Sequence, residues 1–143
     1  MEFIYTTYTI ISGEYSMKEK KLFNINNKGE IMKRYAVDFD GTLNLNESEY
    51  PYCYSPNTAL FKFLIDKQKQ GDKIILNTLR DGAVLEMAVA FCEYNGLIFD
   101  AINDNITEDI VKWGYNPRKI SADYYIDDRN ILIDCVNKNE DIV

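Results

Sequence analysis

From Arg34 onward the chain alternates short apolar runs with stretches of helical period, and this alternation restricts the fold more than any other feature. The runs "RYAVDF" (34–39), "KIILNT" (73–78), "LIFDAI" (97–102) and "ADYYIDD" (122–128) read as strands. The first three are continuously apolar over most of their length, as parallel strands covered on both faces are. Between the first two, Ser55 is an expected N-cap with Pro56 at the first helical position. In that helix Leu60, Phe63 and Leu64 form a buried stripe, and Gly71 closes it. Asp81 caps the next helix, where Leu85, Ala88, Val89 and Cys92 share a face before Gly96. "ITEDIVKWG" supplies a short third helix. Strand–helix alternation of this kind predicts an α/β, Rossmann-like, doubly wound and mainly parallel sheet with right-handed crossovers.

Residues 1–31 do not share the pattern. "FIYTTYTIIS" could be a strand, and "GEYSMKEKKLFNINNKGE" after it is polar with weak periodicity. Met32 stands two residues before the first core strand, and Lys-Gly-Glu-Ile-Met can be encoded by AAA-GGA-GAA-ATT-ATG, a ribosome-binding sequence just ahead of a start codon. The expectation is therefore an N-terminal extension over 1–31, with Met32 as the natural start, and one domain over 32–143; the alternative is a genuine N-terminal hairpin packed on the domain. A chain of 143 residues, 46% hydrophobic, suits a single core of that kind.

The net charge of −7 argues against a nonspecific grip on nucleic acid, where a basic face is the usual footprint. It leaves room for a phosphorylated substrate held by a few local cations. Three widely spaced cysteines, Cys53, Cys92 and Cys135, read as reduced thiols of a cytoplasmic protein. No apolar run approaches the roughly 20 residues that cross a bilayer. With no histidine in the chain, Ser-His-Asp and Cys-His catalysis are excluded and a zinc enzyme is disfavoured. Any chemistry falls to carboxylates, hydroxyls, lysine and a hard metal.

In open α/β sheets ligands sit beyond the carboxyl ends of the strands. Those ends carry Asp38 and Asp40, Thr78, Asn103, and Asp127 with Asp128. Two carboxylates held about 4 Å apart repel by about 4 kcal/mol at an effective dielectric near 20. Four aspartates at adjacent tips therefore call for a cation or a protonated carboxyl. Mg²⁺ suits a site with few protein ligands and several waters.

The motifs resemble those of the haloacid dehalogenase (HAD) superfamily of phosphotransferases over most of residues 34–130. "DFDGT" is similar to the first motif, DxDGT, and "ILNTLRDG" to the second, a strand ending in Thr or Ser. "RKISADYYIDD" resembles the third and fourth together, a lysine before a strand ending in paired aspartates. The run from Leu76 to Asn105 further resembles small, capless bacterial and phage members. The resemblance implies that Asp38 is the nucleophile, that Asp40 is the acid and base, and that Thr78 and Lys119 hold the phosphoryl group. Gly41 and Thr42 after the first strand, with Leu79 and Arg80 after the second, would contact the substrate. Mg²⁺ would be held by Asp38, Asp127 and Asp40 (through its backbone carbonyl), with Asp128 supporting. Arg80 and Arg129 also read as solvated salt-bridge partners, Asn103 as a loop tie, and Trp113, Tyr124 and Tyr125 as core aromatics.

Three other readings compete. A two-component receiver uses similar groups, but it keeps its acidic pair on a different strand from the phosphoacceptor, and here the third strand ends in Ala-Ile-Asn. A DxD glycosyltransferase needs a far larger domain. An inactive HAD fold serving as a binding module is the third. The gap from Leu43 to Tyr54 is too short for a cap domain, so an open site is expected. Its substrate would be a phosphorylated small molecule or nucleotide, with a phosphorylated polynucleotide end disfavoured by the acidic charge. Tyr50, Tyr52 and Tyr54 read as lining the mouth or as surface packing.

Overall fold

The computed structural model describes residues 9–11, 14–16, 25–133 and 136. Cys135 and the rest of "FIYTTYTIIS" and "SMKEKKLF" lie outside them. A small hairpin pairs β1 (Thr9–Ile11) with β2 (Glu14–Ser16) in antiparallel register. The main element is a four-stranded, all-parallel sheet in the order β5-β4-β3-β6. Its strands are β3 (Arg34–Val37), β4 (Lys73–Leu76), β5 (Ala101–Ile102) and β6 (Tyr124–Ile126). The helices are α1 (Thr58–Lys69), α2 (Gly82–Tyr94) and α3 (Thr107–Trp113). This is a Rossmann-like α/β fold, as the alternation of patterns requires.

The strand order shows how the chain is wound. From β3 it steps through α1 to β4 and through α2 to β5, then returns through α3 to the other side of β3. Reversing direction with crossovers of one hand puts α1 and α2 on one face and α3 on the other. Side chains agree. Tyr35, Val37 and Phe39 join Ile74 and Leu76 in a core shared with Phe61 and Leu64 of α1 and Ala88 and Cys92 of α2. Arg34, which alternates to the opposite face, is gripped by Asp109 of α3, Nε to Oδ2 at 2.5 Å and Nη2 to Oδ1 at 2.6 Å.

Several boundaries differ from the expected ones. The N-cap of α1 is Asn57, whose Oδ1 accepts from the Leu60 N–H, while Ser55 and Pro56 serve a strap that pairs with Asn44–Asn46. The buried positions of α1 are Phe61 and Leu64, with Leu60 and Ile65 packed alongside. Phe63 is instead 44% exposed and meets Tyr35 edge-on, beneath the Lys67 ammonium. The third strand is short because Asp100 turns its own carboxylate to the Ile74 N–H at 2.8 Å, taking the place of a ladder bond. Tyr124 and Tyr125 are half-exposed rather than core, because among the described residues β6 pairs only with β3.

Residues 25–31 are tied to the turn between α1 and β4. Asn26, 6% exposed, reaches Asp72, and Asn27 bonds Lys69 and Gln70 carbonyls through its side chain and backbone. Between β3 and α1 the chain forms nothing larger than the 3-10 turn Glu47–Glu49. Among the described residues no helix is long and apolar enough to cross a membrane.

Candidate active site

The register of the sheet delivers the acidic residues to one place. Val37 is paired with Ile126 on one side and with Leu76 on the other, so the three strands end level. The next residues are Asp38, Asp127 and Asn77. The Asp38 N–H donates to the Ile126 carbonyl at 2.9 Å and the Asn77 N–H to the Val37 carbonyl at 2.9 Å. Adjacent strand tips are about 4.8 Å apart, and this seam is the switch point where the winding reverses.

Carboxylate oxygens of Asp38, Asp127 and Asp128 lie within 4.8 Å of one another. Thr42 ties the cluster. Its Oγ1 is 3.0 Å from Asp38 Oδ2 and 3.3 Å from Asp128 Oδ1, sharing one proton between them, and accepts the Asp128 N–H at 3.1 Å. Gly41, at φ +79°, lets the chain pass so close that a Cβ there would stand 2.5 Å from Asp128 Oδ2 and 2.7 Å from Glu47 Oε2. Asp127 Oδ1 accepts from the Arg129 N–H at 2.9 Å. Burial pushes the Asp38 carboxyl up to about 6. The Thr42 hydroxyl and the Phe39 N–H oppose that rise, and the charges of Asp127 and Asp128 add to it.

The Asp40 carboxylate is not one of the three clustered carboxylates; it is held by Arg80. Arg80 Nε donates to Asp40 Oδ2 at 2.9 Å and Nη2 to Oδ1 at 2.8 Å, while Nη1 donates to the carbonyls of Pro51 and Val84. The Arg80 side chain is 1% exposed, which contradicts both substrate contact and a solvated salt bridge. The phenyl ring of Phe39 and the phenol of Tyr50 enclose it. Bonding to Asp40 raises the Arg80 guanidinium above its ordinary range despite burial.

Thr78 sits half-buried at the tip of β4, its hydroxyl accepting from the Arg80 N–H at 3.2 Å and keeping its own proton to donate. Asn103 holds this loop, as a tie between strand tips should. Its Oδ1 accepts from the Thr78 N–H at 2.8 Å and its Nδ2 donates to the Arg80 carbonyl. Leu79 projects fully into solvent. Lys119 is not brought to the cluster. Its ammonium stands 5.6 Å from the centre of the Tyr125 ring, whose hydroxyl is anchored on the Ile120 carbonyl, and among the described residues no ion pair joins it to an aspartate. The sequence reading missed Glu47, Pro51 and Val84. Nothing in "ESEYPYCY" or "RDGAV" signals them, because their parts are played by a carboxylate near Gly41 and by two backbone carbonyls.

No protein-family model matches the chain, and no curated protein does. Among solved structures it is similar to a conserved protein from Bacteroides thetaiotaomicron. The two are 30% identical over 77% of this chain and 93% of that one, with a TM-score of 0.60. At that identity and coverage, the chain belongs to the family of this conserved Bacteroides thetaiotaomicron protein.

Proposed function

We propose that the protein is a Mg²⁺-dependent phosphoric monoester hydrolase of the capless HAD type, working through an aspartyl-phosphate on Asp38. One observation carries the reading: Asp38, Asp127 and Asp128 converge at the tips of the adjacent strands β3 and β6. Three carboxylates this close, with no lysine or arginine paired to them among the described residues, are a donor set fit for a hard divalent ion. Asp38, Asp127 and Asp128 would hold it. Bound there, the ion would offset the charge of the carboxylates and of the phosphoryl oxygens.

The protein's own groups account for the rest. An Asp38 carboxylate oxygen attacks phosphorus as the bond from phosphorus to the ester oxygen breaks, and Asp40 gives that oxygen a proton. Water then attacks the phosphorus of the acyl phosphate. Its proton returns to Asp40 while the phosphorus–oxygen bond to Asp38 breaks, releasing inorganic phosphate. Thr78 has a free hydroxyl proton for a phosphoryl oxygen. Among the described residues the connection between β3 and α1 holds nothing larger than one 3-10 turn, which suits phosphorylated small molecules and nucleotides reaching the site from solvent.

The experiment is phosphate release from p-nitrophenyl phosphate and a panel of phosphorylated metabolites, nucleotides and 3′-phosphorylated oligonucleotides, with Mg²⁺ and with EDTA. Turnover that requires Mg²⁺ and is abolished in Asp38→Asn is expected. Stable phosphorylation without turnover would assign a receiver instead, and no reaction with any ester would leave a binding module.

A further inference from the structure

We propose that Arg80 is the positioning residue for Asp40, fixing the proton-transferring carboxyl from behind without touching substrate; this rests on the phosphatase reading above. Four of the five guanidinium N–H groups are already used: two on Asp40, one on the Pro51 carbonyl at 2.9 Å and one on the Val84 carbonyl at 3.1 Å. The guanidinium carbon lies 4.8 Å from the centre of the Phe39 ring and 4.8 Å from that of Tyr50, so both flat faces are covered. A side chain 1% exposed has no open edge for a phosphate, whereas Asp40 is 29% exposed. Whatever Arg80 does for the reaction passes through Asp40.

The arrangement is built to hold one orientation. A bidentate fork fixes the plane of the carboxylate, which a single ammonium cannot do. The fork is itself anchored at several places. Its backbone N–H rests on Thr78 Oγ1, its carbonyl takes the Asn103 amide at 3.4 Å, and its side chain reaches the Tyr50–Pro51 loop and the first turn of α2. Asp40 is partly exposed and each of its oxygens accepts one Arg80 N–H, so a further position remains where a carboxyl proton would sit before passing to a departing ester oxygen. The loop holding Tyr50, Tyr52 and Tyr54 is thereby coupled to the acid.

The test uses the full chain with Mg²⁺ and a series of substituted phenyl phosphates, comparing kcat/KM, which reports steps up to departure of the phenol. p-Nitrophenolate leaves without a proton, but unsubstituted phenol needs one. In Arg80→Lys, kcat/KM for phenyl phosphate is expected to fall about 100-fold, the scale of an ångström-level misplacement, while p-nitrophenyl phosphate loses about tenfold less. Tyr50→Ala removes a ring that is 56% exposed, leaves no core void, and is expected to show the same steepening in weaker form at nearly unchanged Tm. Equal losses across the series in both variants, as a substrate contact or a purely structural role would give, overturn the inference. If Arg80→Lys fails to fold, Tyr50→Ala decides alone. A wild-type protein inert toward every ester removes the phosphatase reading and this inference with it.

Discussion

Asp127→Asn should make the metal-free protein more stable and the Mg²⁺-loaded protein less so. Carboxylate oxygens of Asp127, Asp38 and Asp128 lie within 4.8 Å of one another. At that separation a pair repels by about 3.5 kcal/mol at an effective dielectric near 20. Asp127 and Asp128 are exposed, and solvent reduces such a pair to about 1 kcal/mol or less. Relief from two neighbours then amounts to about 1–2 kcal/mol, while the asparagine Oδ1 can keep the Arg129 N–H. In EDTA this should raise Tm by about 3–6 °C for a chain of this size. In Mg²⁺ at 100 times its Kd, the wild type gains about 2.7 kcal/mol and the variant, short of one ligand, much less. The assay is a pair of thermal melts for each protein, and the order of the two midpoints should invert when Mg²⁺ replaces EDTA. If the variant melts lower in EDTA, and Mg²⁺ moves both proteins equally, the three carboxylates are not a cation site.

Metal-free stability should fall as pH rises from about 4 to about 6. Asp38 is pushed up to about 6 in the fold against an ordinary 3.8, so in that window the native state holds a proton the unfolded chain has lost. Partial exposure limits the loss to about 1–2 kcal/mol, and urea titrations in EDTA at pH 4, 5, 6 and 7 should show it levelling off above pH 6. Gly41→Ala should cost about 1–3 kcal/mol, from the +79° backbone and the clash with Asp128, and weaken Mg²⁺ binding measured by calorimetry. Removing residues 1–31 should cost about 1–3 kcal/mol in urea titrations, because Asn26 and Asn27 are lost from the α1–β4 turn.

The parts of the site that follow from register were legible in the sequence. Asp38 and Asp127 each come directly after a run of apolar residues, and parallel strands that end level must bring such residues together. Asn103 was legible for the same reason. The partners of Asp40 were not, because a bidentate pair spanning forty residues depends on which way two loops fold back, and no local pattern records that. Lys119 illustrates the opposite error. A lysine eight residues before Asp127 fits the motif resemblance, yet its ammonium settles over the Tyr125 ring. At the start of α1, Ser55 and Asn57 are both competent caps. Asn57 takes the role because its amide can also reach back to the Thr42 carbonyl, a tertiary contact invisible to propensity.

The reversal of winding at β3 also orders events during synthesis. The nucleophile emerges early, but the carboxylates that complete its surroundings come some ninety residues later, on a strand whose described backbone pairing is to β3 alone. A nascent chain therefore displays Asp38 long before Asp127 and Asp128 can stand beside it. Ion capture across that seam would staple the sheet's last-made strand to its first-made one, making metal uptake a report that the sheet has closed.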